Sequence, residues 1–117
     1  ATANEEDYVK QQFQKMKKAY ADKGIPVIVG EYSAMKRTKE DKIEGTAEPA
    51  YPDIDQEMHN KSRAYWNEVV TREAKNHGCV PFYWETGGDM NRGTGTAKEA
   101  YAIEGIMTGA AAGKYPY

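Results

Sequence analysis

Twice in this chain an apolar run follows a glycine and stops at a glutamate. The first is Gly24-Ile25-Pro26-Val27-Ile28-Val29-Gly30-Glu31, and the second is Gly78-Cys79-Val80-Pro81-Phe82-Tyr83-Trp84-Glu85. Each glutamate stands seven residues after its glycine, and the two units are offset by 54 residues. Glycine is the usual residue for ending a helix in the left-handed region. A run of β-branched residues straight after it reads as a buried strand. Helix followed by strand, repeated, predicts a parallel sheet, and in such sheets reactive side chains gather where the strands end.

The flanking segments fit that reading. Residues 5–22 predict an amphipathic helix, because Val9, Phe13, Met16 and Tyr20 are spaced by four, three and four. Asn4 suits its N-cap, and Glu5, Glu6 and Asp7 suit the positive end of its dipole. Residues 26–31 predict a strand covered on both faces, and 32–57 a long polar connection containing Gly45, Pro49 and Pro52. A second helix is expected over 58–77, with Tyr65, Trp66, Val69, Val70 and Ala74 on one face and Asp53 or Asp55 as its cap. A second strand follows at 80–84, then a Gly- and Thr-rich loop at 86–96. A last helix is expected at 97–112, and then an irregular tail. The order α-β-loop-α-β-loop-α is α/β. Two strands cannot close a barrel, which takes about 250 residues, so the chain reads as the last quarter of one plus the preceding helix.

Composition narrows the function. A net charge of −2 on 117 residues makes nucleic acid and anionic membrane poor partners. No apolar run reaches the length of a membrane span, and the polar, acidic start lacks a signal-peptide pattern. The lone Cys79 excludes an intrachain disulfide. His59 and His77 are eighteen residues apart on one predicted helix without acidic or cysteine partners in register, so no metal site is expected. Arg92-Gly93-Thr94-Gly95-Thr96 lacks the spacing of a phosphate-binding loop.

Pro26-Val-Ile-Val-Gly-Glu-Tyr-Ser-Ala34, a helix, and then Val80-Pro-Phe-Tyr-Trp-Glu-Thr-Gly87 resemble the C-terminal end of glycoside hydrolase family 5, in particular its bacterial endo-β-1,4-glucanases. Ser62-Arg63-Ala64-Tyr65-Trp66 and Tyr101-Ala-Ile-Glu-Gly-Ile-Met107 also fit that branch. The resemblance implies the C-terminal portion of a (β/α)8 TIM barrel: helix six, strand seven, helix seven, strand eight and helix eight, with residues 1–117 forming part of a single catalytic domain. It implies endo-acting hydrolysis of β-1,4-glucan with retention, no cofactor, a secreted parent enzyme whose signal precedes this sequence, and Glu31 as nucleophile. Trp84 corresponds to the tryptophan that supports the sugar beside the cleaved bond. Two departures stand out. Glu85-Thr86 replaces the more usual Asp-Asn, and the Asn-Glu-Pro motif that carries the family's acid/base is absent. The partners implied are a β-glucan together with the N-terminal remainder of the barrel, or a second copy of the chain. The alternatives are a non-catalytic β-glucan-binding protein and an assembly fragment.

Residue chemistry stands beside the resemblance. A retaining glycosidase needs two carboxyl groups about 5–5.5 Å apart. Strand alternation predicts that Val27, Val29 and Glu31 point one way, with the valines filling the barrel interior. Without the resemblance, Glu31 is equally a solvent-facing carboxylate. With Phe82 and Trp84 facing inward, Glu85 faces outward or joins the loop, where it orients that loop or meets a sugar hydroxyl. Trp84 offers a flat apolar face and one donor, suited to a pyranose ring or to a core. Lys36 and Arg37 are candidate donors to sugar hydroxyls, or solvated loop charges. Tyr32 and Tyr83 are expected between sheet and helices, and Trp66 in the core.

Overall fold

The structure, a computed structural model, describes residues 5–117. The expected Asn4 cap lies outside them, and Glu5 occupies the cap position of α1, Glu6–Ala19. The periodic pattern runs on to residue 22, but the α-helix stops at Ala19. The chain tightens into a 3-10 turn, Ala21–Lys23, and leaves it through Gly24 at φ 78°. Strand β1 is Val27–Tyr32 and α2 is Gln56–Asn76. Asp55 caps α2 by accepting from the Met58 N–H at 3.0 Å. Strand β2 is Cys79–Tyr83 and α3 is Ala100–Ala112. The segment 86–96, expected as loop throughout, contributes to a short antiparallel hairpin, β3 Met90–Asn91 with β4 Thr96–Ala97. This pairing delays the start of α3 to residue 100.

Strands β1 and β2 pair in parallel, with Val27 opposite Cys79, Ile28 opposite Val80 and Val29 opposite Pro81. Val69, Val70, Ala74 and Cys79 are buried where α2 backs the sheet, Ala102 is buried where α3 packs on α2, and Val9 of α1 joins Val69 and Val70. The opposite face of the sheet is open. Ile28 is 61% exposed, Phe82 52% and Trp84 52%. The expectation of a strand covered on both faces is therefore corrected: these residues cover one. The inward face is also the reverse of that expected, since Val27 and Val29 turn toward the helices and Ile28 toward the open side.

Several side chains depart from the expected faces. Tyr65 is 51% exposed and donates to Glu6 Oε2 on α1 at 2.5 Å. Trp66 is not one of them: partly buried, it packs against the Val9, Val69 and Val70 cluster as expected. Its Nε1 donates to the Ser33 carbonyl at 3.2 Å, and it borders a groove between α1 and β1. In α3 the buried positions are Ala102, Gly105 and Gly109, while Met107 is exposed. The tail docks: Tyr117 lies against Gly78, and its hydroxyl donates to Asp22 at 3.0 Å.

Candidate functional site

The sheet's register changes just before its C-terminal edge. After Val29–Pro81 the next pair is Tyr32–Tyr83, so three steps on β1 match two on β2. The extra residue is a β-bulge at Gly30-Glu31. It puts two successive residues, Gly30 and Glu31, on the exposed side and returns Tyr32 to the helix side. There the Tyr32 hydroxyl meets Thr71 Oγ1 at 2.6 Å, and its ring stacks edge-on against Tyr83 at 5.4 Å. Simple alternation would have sent Glu31 the way of the valines, into the helix layer. The bulge sends it to the open face instead.

Trp84 follows β2 directly, and its N–H donates to the Tyr32 carbonyl at 2.9 Å. Glu31 and Trp84 therefore flank the Tyr32–Tyr83 pair on neighbouring strands, which in a sheet run about 4.8 Å apart. Glu31 is exposed, and its carboxylate makes no hydrogen bond or ion pair among the described residues. Beside Trp84 is a cleft of about 180 Å³, lined by Ser33, Lys36, Trp84, Thr86 and Gly88 and floored by Arg63 and Asp89.

The other predicted residues fall into three environments. Glu85 is taken up by its own loop. Its Oε1 accepts from the N–H groups of Gly87 (2.6 Å), Asp89 (3.0 Å) and Met90 (3.2 Å), and Arg92 reaches its carbonyl at 2.8 Å. The bond from the Asp89 N–H comes first and burial opposes it, and the bonds from Met90 and Gly87 with the charge of Arg92 keep its carboxyl below the usual range. Lys36 pairs with Glu99, and this contact holds the ammonium above its ordinary value. The Arg37 guanidinium covers the Tyr51 ring, and the main-chain N–H of Arg37 donates to His59 Nε2 at 2.9 Å. His77 ends α2, where its Nδ1 lies 2.7 Å from the Glu73 carbonyl. Among the described residues no group of three or more His, Cys, Asp or Glu side chains is placed to hold a metal.

A buried polar network beneath the cleft is absent from the sequence reading. Arg63 donates through Nε to the Ala34 carbonyl (2.9 Å), through Nη1 to Tyr101 (2.8 Å) and through Nη2 to Asp89 (3.3 Å). The Tyr83 hydroxyl donates to the other Asp89 oxygen at 2.5 Å. Burial, reinforced by Asp89, pushes the Tyr83 phenol up to about 12, so it stays protonated at neutral pH. The available signal was Arg63 and Asn67 at core-face spacing with Val70 and Ala74. Polar residues at such positions need buried partners.

No family model matches the chain. Endoglucanase A of Paenibacillus barcinonensis is 28% identical over 116 residues, spanning 93% of this chain and 25% of that protein. The xyloglucan-specific endo-β-1,4-glucanase BoGH5A of Bacteroides ovatus is 32% identical over 93 residues, spanning 77% of this chain and 16% of that protein. The crystal structure of XEG5B, a GH5 xyloglucan-specific β-1,4-glucanase from a ruminal metagenomic library, in complex with XXLG, superposes on the whole chain. Its TM-score is 0.81 at 35% identity, over 30% of its own length. The chain belongs to glycoside hydrolase family 5. In the family 5 barrel, α1, β1, α2, β2 and α3 are helix six, strand seven, helix seven, strand eight and helix eight, its C-terminal portion. The chain spans between 16% and 30% of the length of these three relatives. Among the described residues no helix is long and apolar enough to cross a membrane.

Proposed function

We propose that this chain supplies the nucleophile and a sugar platform to a secreted, retaining endo-β-1,4-glucanase, as part of a single (β/α)8 catalytic domain. One observation carries the reading: the bulge at Gly30-Glu31 turns an unpaired carboxylate onto the open face beside Trp84. The Glu31 carboxylate attacks the anomeric carbon, and the bond from that carbon to the glycosidic oxygen breaks. The leaving oxygen takes its proton from an acid on another part of the barrel, and water then displaces Glu31. Trp84 packs on the apolar face of the sugar. The Glu85 carboxylate shapes the loop below the platform, and Lys36 and Arg37 stand at the cleft and its neighbouring loop as lesser candidates for sugar hydroxyls. The relatives named for xyloglucan favour a decorated β-1,4-glucan as substrate. The remaining barrel strands are the partner that the open sheet face requires.

The test is covalent trapping. The protein carrying this chain is incubated with 2,4-dinitrophenyl 2-deoxy-2-fluoro-β-cellobioside, whose leaving group needs little acid assistance, and its peptides are mapped by mass. A glycosyl adduct on Glu31, lost in Glu31→Gln, is expected. Folded protein that binds cello-oligosaccharides but takes no label at Glu31 would overturn the catalytic reading and leave a binding role.

A further inference from the structure

Beneath the cleft, one ion pair touches both segments that present the site. Arg63 is 4% exposed and Asp89 6%. The three Arg63 bonds run to three elements: the loop after β1 at Ala34, the loop after β2 at Asp89, and α3 at Tyr101. Ala34 stands three residues beyond Glu31. Asp89 in turn holds the Tyr83 hydroxyl, one residue before Trp84. The Asp89 carbonyl accepts from the N–H groups of Lys98 (2.8 Å) and Glu99 (3.2 Å), and its own N–H binds Glu85. A buried ion pair contributes little net stability compared with apolar residues of the same volume, because desolvation cancels most of the attraction. Its geometry is another matter, since a planar guanidinium fixes three acceptors relative to one another.

We infer that Arg63 and Asp89 are positioning residues that set Glu31 and Trp84 relative to each other. The inference rests on the nucleophile reading above. It extends that reading to two buried residues that act through the segments they hold, at Ala34, Tyr83 and Glu85. Displacements of about 1 Å at a reacting centre cost about 10²-fold in rate, so loosening this pair lowers the rate of glycosyl transfer more than it weakens sugar binding.

The experiment uses the protein carrying this chain with Arg63→Lys and Asp89→Asn, the fluoro-cellobioside as probe, and three readouts. These are the end-point stoichiometry of labelling, the saturation constant, and the limiting rate constant of labelling. The expected result is full stoichiometry, a little-changed saturation constant, and a limiting rate constant lower by about 10²-fold for Arg63→Lys. Asp89→Asn, which keeps the shape and one acceptor, should lose less. A merely structural role would lower the labelled fraction and leave the rate constant of the labelled sites unchanged, and that result overturns the inference. Tyr83→Phe removes one hydroxyl without changing the packing. It carries the same comparison if the charged variants do not fold. An unsubstituted protein that takes no label at Glu31 overturns the nucleophile reading and this inference together. Label on the parent with unchanged rate constants in the variants overturns the inference alone.

Discussion

His59 accepts a hydrogen bond at Nε2 from the main-chain N–H of Arg37, which only an unprotonated ring nitrogen can do. Burial, then the charges of Arg37 and Arg63, hold its pKa below the ordinary 6.5. The folded protein therefore binds fewer protons than the unfolded chain in that window. The contribution is fully present above about pH 6.5 and is lost as pH falls through the depressed value. Urea midpoints should fall from about pH 7 to about pH 5 more steeply for the parent than for His59→Gln. Parallel slopes would contradict this. Glu31 shows what was legible at this scale. Its place at a strand end could be read from Gly24 onward, but its direction could not. One extra residue inverts the alternation, and the bulge has no mark in the sequence beyond Gly30, which also fits a regular strand. Arg63 was hidden for another reason, since its partners Ala34 and Asp89 are 29 and 26 residues away in sequence.

Helices α2 and α3 meet through missing side chains. A methyl group on Gly105 would overlap the Ala64 carbonyl oxygen, and one on Gly109 the Glu68 carbonyl oxygen. Gly109→Ala should accordingly destabilise the fold by about 1–3 kcal/mol through overpacking, measured as a lower urea midpoint with unchanged helical content. An unaltered midpoint would mean that the helices separate at no cost. The existence and type of both helices were legible from apolar spacing and from Gly78. The contact face of α3 was not, because a stripe of glycines carries no hydrophobic signal and Ile103, Ile106 and Met107 mask it. The two-residue strands β3 and β4 are likewise too short to leave a period. Their pairing is set by the Asp89 carbonyl and the Asn91 side chain, which accepts from Gly93 at 3.0 Å and Thr94 at 3.3 Å.

As a whole the molecule is an open wedge. Its radius of gyration is 16.3 Å, against about 13 Å for a compact chain of this length. Its accessible surface is 7688 Å², against about 6,400 Å² for a compact monomer of 13.1 kDa. The excess comes from the open face of the sheet, where Ile28, Val80 and Phe82 are uncovered. The 117-residue polypeptide by itself should self-associate with rising concentration in sedimentation velocity, and Phe82→Glu should reduce this while far-UV circular dichroism stays the same. A monomer at all concentrations would contradict it. The parallel pairing of β1 and β2 was legible from the order of helices and strands, since alternation of this kind leaves few topologies, whereas the place in a barrel came with the family resemblance.

The ties of the Arg63 network have a consequence for inheritance. Every bond linking the loop after β1 to the loop after β2 begins and ends between residues 34 and 101. A recombination crossover ahead of α1 would carry Glu31, Trp84 and the Arg63–Asp89 pair into a new barrel together. A crossover within α2, on the N-terminal side of Arg63, would part Ala34 from its donor. Such an exchange would leave each half folded to its own pattern and the ends of β1 and β2 unaligned.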